Sequence, residues 1–163
     1  MNGYSFLALK SWIESLYAIN DPNSVLWITP YGYTATFAAL AQNATATQQI
    51  NITANGDFVL TGLKHRAQIG AAQTVSTKTA PFVRVLLTDS GSNEQFTAQA
   101  VDLENYSQNG VAPVMLPYPR FIAGRTSLTV QATNYAPTAE TYTTLDVFLE
   151  GVLVRKFSKP AGA

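Results

Sequence analysis

The chain is predicted to be mainly β: an antiparallel β-sandwich, jelly-roll-like, of about eight strands, preceded by a helical arm. Three observations carry this. After residue 30 the apolar residues recur with period 2 almost everywhere, the signature of half-buried strands. Turn-forming clusters separate the alternating runs at short intervals. Helical spacing is confined to residues 4–19. The expected division is an N-terminal helical arm over 1–30, a β-sandwich over 31–157 and a C-terminal tail over 158–163.

In the arm, Phe6, Leu9, Ile13, Leu16 and Tyr17 recur at helical spacing. Lys10 and Glu14 form an i,i+4 pair on another face, and Trp12 widens the apolar surface. Ser5 or Gly3 caps the start. Asn20-Asp21-Pro22-Asn23 ends the helix, because proline disfavours helix in the residue before it. A closed sandwich offers little empty inner face for such a helix. The helix either packs on its own sandwich or is an arm docking on a neighbouring subunit; the six residues Phe6, Leu9, Trp12, Ile13, Leu16 and Tyr17 are expected to form an interface, packing at least partly on another subunit.

Val25 to Ile28 is a short apolar run, strand or extended connection. Tyr33, Ala35, Phe37 and Ala39 alternate on one face. Ala41–Thr47 reads as a small polar linker, and Ile50 and Ile52 mark the next strand. Asn55-Gly56 is the strongest hairpin signal in the chain, placed between that strand and Phe58-Val59-Leu60. Ala67–Thr79 lacks apolar periodicity and reads as an exposed loop. The stretch Pro81–Phe121 is read as the one the chain is organised around. There Phe82–Thr88 is an unbroken apolar run, stopped by Asp89-Ser90-Gly91-Ser92. Asp89 is expected to bond its own backbone and Gly91 to supply freedom for positive φ. Pro117 and Pro119 lack backbone donors, so the piece around Tyr118 must be an edge, a corner or a rigid connection. Glu94–Leu103 contains a strand ending in Val101 and Leu103, and Asn105–Ala112 is a loop. Ser127–Ala132 and Thr141–Val154 supply the last two strands, with Gly151 a bulge or bend. Leu60, Val83, Val85, Leu87, Leu128, Val130, Leu145, Val147 and Leu149 are the expected core.

Composition narrows the function. Lys+Arg and Asp+Glu are both 10, so the formal charge is zero, and no basic footprint for nucleic acid or anionic membrane is expected. Charged residues make up 12% of the chain, against about 25% in ordinary domains, which suits a chain held inside an assembly or one whose surface is covered by Thr, Ser, Asn and Gln. Cysteine is absent, so disulfides and thiolate metal sites are excluded. No apolar run approaches the length of a membrane span. The N-terminus lacks a basic start and is interrupted by Lys10 and Glu14, unlike a secretory signal.

Chemistry-bearing patterns are sparse. The single histidine, His65, lies between Lys64 and Arg66 without ligands at metal spacing, and reads as a surface residue near a strand end. Asp102 and Glu104 alternate on one face, a spacing open to an acid/base pair or Ca²⁺, though two such carboxylates are ordinarily solvated. No nucleophile elbow or phosphate-cradling loop is present. Tyr31, Tyr33, Tyr106, Tyr118, Tyr135 and Tyr142 either line a sugar-binding face or serve as core, edge and interface residues. No catalytic, metal-binding or cofactor-binding residue is assigned, no cofactor is expected, and the chain is read as a non-enzyme.

Asp57–Thr61, Gly70–Thr74, Leu87–Ser92, Leu116–Phe121, Thr129–Asn134 and Phe148–Phe157 follow one another in an order and spacing that resembles small structural virion proteins of tailed bacteriophages. The resemblance covers roughly residues 31–157. It departs at Asn93-Glu94-Gln95, where a basic residue is expected, and leaves out the helical 1–30 segment. It implies a virion location and a role as a capsid decoration (cement) or minor capsid protein. The implied partners are the major capsid protein or other virion proteins and further copies of itself, a trimer at a capsid symmetry point being one arrangement. Neither nucleic acid nor membrane is an expected partner. A tail, neck or fibre-base component, or a carbohydrate-binding adhesion module, is the alternative.

Overall fold

A computed structural model describes residues 5–17, 23–70, 80–108 and 112–159. Its elements are the helix α1 (Phe6–Leu16) and strands β1 (Ser24–Leu40), β2 (Thr45–Asn51), β3 (Asp57–Ile69), β4 (Val83–Asp89), β5 (Glu94–Gln95) and β6 (Val101–Asp102). A 3-10 turn (Leu103–Asn105) leads into β7 (Ser107–Gln108), β8 (Ala112–Ile122), β9 (Ser127–Asn134) and β10 (Tyr142–Ser158).

The pairings are nested like brackets. β1 pairs with β10, β2 with β9, β3 with β8, and β4 with β5, all antiparallel. Residues 24–158 are thus one long antiparallel ribbon whose tip is the turn after Asp89. The ribbon is rolled so that β10 also pairs with β3, and β9 with β4. This produces two facing sheets, β1-β10-β3-β8-β7 and β2-β9-β4-β5, with β6 beside β4. The chain is a β-sandwich of jelly-roll order. All nine expected core residues are buried between the sheets, together with Phe37, Phe58, Leu63 and Tyr142.

Several local expectations change. The larger sheet begins at Ser24, so residues 24–30 pair with β10 in unbroken register. Asn55-Gly56 is not a hairpin, because β2 and β3 belong to different sheets; the segment crosses the end of the sandwich, and a Cβ on Gly56 would lie 2.6 Å from the Val154 carbonyl oxygen. Ala39 takes a left-handed φ of 50° and is exposed, so the alternation shifts and Leu40 turns inward instead. Thr45–Thr47 belongs to β2, and Ala67–Ile69 to β3. The 94–103 region is two short bridges rather than one strand. The expected helix stop at 20–22 and the loop at 71–79 lie outside the described residues. Gly151 sits at a register shift between β10 and β3; a Cβ there would lie 2.1 Å from the Val59 carbonyl oxygen, so only glycine fits.

Among the described residues, Asn134 is the buried polar side chain with the most hydrogen bonds to turn backbone. Asn134 is fully buried; its Nδ2 donates to the carbonyls of Leu40 (3.1 Å) and Glu140 (2.9 Å), and its Oδ1 accepts from Ala136 N (2.9 Å). Its backbone bonds Asn43 and Ala44 across the β1–β2 turn. One side chain therefore fastens the turns at one end of the roll.

Candidate functional site

α1 starts where Ser5 Oγ accepts from Ala8 N at 3.1 Å, filling one of the orphan donors of the first turn. Lys10 and Glu14 pair on its exposed side. Leu9 and Ile13 are buried on Val59 and Val154, with Trp12, Tyr17, Leu26, Ile28 and Val152 half-buried around them. The helix covers the outer face of the larger sheet. At its end the Tyr17 hydroxyl donates to Asp57 Oδ2, and Asp57 Oδ1 accepts from Gly124 N (2.7 Å). Burial, then the Asp57 carboxylate, pushes the Tyr17 hydroxyl well above the usual phenol range. Tyr17 also meets Phe121 edge-on at 6.1 Å.

Four of the six arm residues named from sequence thus pack within the chain, while Phe6 (65% exposed) and Leu16 face outward. Leu7, 75% exposed, also faces outward and lies off the helical stripe that marks the other six. A closed sandwich has no free inner face for the helix, but its outer face takes Leu9 and Ile13. Its signal was in the sequence: Phe58-Val59-Leu60 and Val152-Leu153-Val154 are continuous apolar triplets, which mark strands buried on both sides.

Beside the helix runs β1, an edge strand of 17 residues without a single charged side chain. Edge strands are ordinarily blunted with charge, proline or bulges; β1 has only Pro30 and the kink at Ala39. Trp27 is 61% exposed and meets Phe157 edge-on at 5.5 Å. Phe6, Leu26, Trp27 and Ile28 line one shallow depression, closed by Lys10. Helix and edge meet at this depression.

The other named residues lie at the ribbon tip and on β8. Asp89 is buried; its Oδ1 accepts from Gly91 N (2.9 Å) and its Oδ2 from Ser92 Oγ (2.8 Å). Asn93, with φ 56°, is the left-handed residue of this turn rather than Gly91. What Gly91 provides is space, since a Cβ there would lie 2.6 Å from Thr126 Cγ2. Ser90 joins the turn to β9 through Ser127. On β8, pairing with β3 runs from Ile122 to Arg120 and resumes at Met115, so Leu116–Pro119 stand opposite Thr61 alone. Pro117 and Pro119 occupy this protrusion, and Tyr118 at its tip is 81% exposed.

The polar candidates separate. His65 is not a surface residue: it lies on the inner side of β3 with Leu63 and Ala67, 4% exposed, its Nε2 3.0 Å from Glu104 Oε1. Strand alternation turns it inward while its neighbours Lys64 and Arg66 turn out. Asp102 pairs instead with Arg84 (3.3 Å) on the surface, and Arg84 lies over the Tyr135 ring at 4.7 Å. The two carboxylates diverge and share no site. Among the described residues no group of three or more His, Asp or Glu side chains is placed to hold a metal ion, and no helix is long and apolar enough to cross a membrane. Tyr33, Tyr106 and Tyr142 are drawn into the core or its margin, and burial raises the pKa of each hydroxyl. Tyr31 and Tyr118 are exposed.

No family model and no curated protein sequence matches the chain. Among solved structures it is similar to a chain in the structure of infectious bursal disease virus, Gx strain, at 12% identity and a TM-score of 0.29, over 86% of this chain and 38% of the other. The chain therefore spans well under half of that protein's length. A likeness of that size carries no functional argument; the fold class rests on the strand order itself.

Proposed function

We propose that this chain is a non-enzymatic structural protein of a tailed-bacteriophage virion, a capsid decoration (cement) or minor capsid protein that binds and stabilises the shell through subunit contacts. The observation that carries the reading is the set of exposed apolar side chains around the charge-free edge strand β1: Phe6 and Leu7 on α1, and Trp27 with Phe157 at the start of the strand. Exposed apolar patches of this kind mark interaction sites, and an unpaired strand edge offers backbone donors and acceptors to a partner. A chain with 12% charged residues gains little solubility from charge, so cover by neighbours is the consistent state. The phage resemblance of residues 31–157 supplies the rest of the reading. The partners are the major capsid protein, other virion proteins and further copies of this chain.

The test is co-sedimentation of the purified full-length chain with capsids of the encoding phage stripped of it. The unaltered chain is expected to pellet with capsids and raise their melting temperature. The double variant Phe6→Ser, Leu7→Ser should bind roughly tenfold or more weakly, a loss of over 1 kcal/mol, with the chain's own melting temperature within a degree or two. Absence of the protein from purified particles, or unaltered capsid binding by the double variant, overturns the reading or its assigned surface respectively.

A further inference from the structure

The protrusion on β8 lies apart from the helix and the β1 edge. Four residues, Leu116–Pro119, stand opposite one residue of β3. Bulges of this kind re-aim a side chain, and here the side chain re-aimed is Tyr118, the most exposed large aromatic of the described residues at 81%. Prolines on both sides fix their own φ and need no backbone donor partner, so the ring is presented from a stiff mount. Between this mount and the Phe96-Thr97 segment lies a groove of about 520 Å³, with Leu116 and Tyr106 among its lining residues. Tyr106 is more than nine-tenths buried. Its hydroxyl faces the Thr97 side chain, and the Thr97 hydroxyl donates to the Gln99 carbonyl at 2.7 Å. Arg120 lies over the Phe96 ring at 5.4 Å and donates to Glu94 Oε1 at 3.1 Å.

These features specify a ligand chemistry. Arg120 and Glu94 cancel, so the groove does not select an ion. It combines an exposed aromatic plate with a charged donor beside a charged acceptor. A pyranose ring has an apolar C–H face for the plate and vicinal hydroxyls that donate and accept at once. A proline-rich peptide would also lie on an aromatic ridge, but it offers chiefly carbonyl acceptors and leaves Glu94 unmatched. We propose that this groove is a binding site for a neutral glycan, with one sugar ring stacked on Tyr118 and its hydroxyls held by Arg120 and Glu94. Because the mount is rigid, little ordering cost opposes binding.

The experiment titrates the full-length chain, by calorimetry and by NMR shift perturbation, with neutral hexasaccharides of glucose, mannose, galactose and N-acetylglucosamine, and with a proline-rich decapeptide. Saturable binding of at least one saccharide is expected. Tyr118→Ala should weaken it roughly tenfold or more, Tyr118→Phe should keep it, and Glu94→Gln should weaken it. Tyr118 projects into solvent, so the melting temperature should stay unchanged in both Tyr118 variants, which separates lost binding from lost folding. The proposal is overturned if none of the four saccharides binds saturably, if Tyr118→Ala binds as well as the unaltered chain, or if the peptide alone binds. Capsid co-sedimentation by Tyr118→Ala should be unaffected, so failure here and failure of the virion reading are distinguishable.

Discussion

At the scale of single residues, a few buried polar groups hold the turns of the roll. Asn134 uses three side-chain hydrogen bonds to join the end of β1, the loop ending at Glu140 and the start of the 136 turn. Asn134→Ala removes two donors and one acceptor and leaves two carbonyls and one N–H to be satisfied in a dry site. An unsatisfied buried group costs about 1–3 kcal/mol, so the variant is expected to lose on the order of 4 kcal/mol. Chemical denaturation should show a lowered midpoint with an unchanged slope. A loss below about 1 kcal/mol would mean that water replaces the amide at little cost. Nothing in the sequence distinguishes Asn134 from the exposed asparagines, since its burial follows from where two sheets close. The same holds for His65, which charged neighbours made look exposed. Asp89 differs: its side-chain bonds are local to its own turn, and local bonds are what sequence displays.

At the scale of elements, period-2 alternation identified the strands, and their inward faces follow directly from it. Pairing did not follow. Asn55-Gly56 has the chemistry of a two-residue hairpin, but local turn propensity cannot register that β2 is drawn to β9, some eighty residues away, and β3 to β10. The helix site was half visible: the stripe on α1 was plain, and its acceptor lay in the uninterrupted apolar triplets of β3 and β10. The β1 edge was legible as a strand but not as an edge, because edge status is a property of the sheet. Its lack of charge yields a prediction about self-association. Two copies meeting edge to edge in antiparallel fashion bring no like charges together in any register. Placing lysines at exposed Thr34 and Ala38 should reverse this. Sedimentation of the full chain should show concentration-dependent self-association that Thr34→Lys with Ala38→Lys abolishes while the melting temperature holds. A chain that stays monomeric at high micromolar concentration, or a double variant that associates equally well, removes β1 as a self-pairing edge.

At the scale of the whole molecule, the nested ribbon from Ser24 to Ser158 is closed without the helix: every strand pairing lies inside that range. α1 is nevertheless a cover as well as a candidate anchor, and the two roles fall on different residues. Leu9 and Ile13 are buried on Val59 and Val154, while Phe6 and Leu7 look outward. Full burial of an aliphatic side chain contributes about 1.5–3 kcal/mol, so deleting residues 1–20 should cost about 4 kcal/mol from these two side chains, before the Tyr17–Asp57 bond is counted. Small domains have about 5–15 kcal/mol in all. The truncated chain should therefore still unfold cooperatively, at a clearly lower temperature. It should also aggregate more readily, because Val59, Val152 and Val154 become an open strip on the outer sheet. Ile13→Ala isolates the cover, with an expected loss of about 3 kcal/mol and unchanged capsid binding once the variant is folded at low temperature. The Phe6, Leu7 double variant isolates the anchor, with the reverse pattern. A deletion that leaves the melting temperature untouched would show that the helix does not rest on this sheet in solution. If Ile13→Ala instead weakens capsid binding at full stability, then the helix lifts from the sheet when the chain assembles and its buried face is the one that docks.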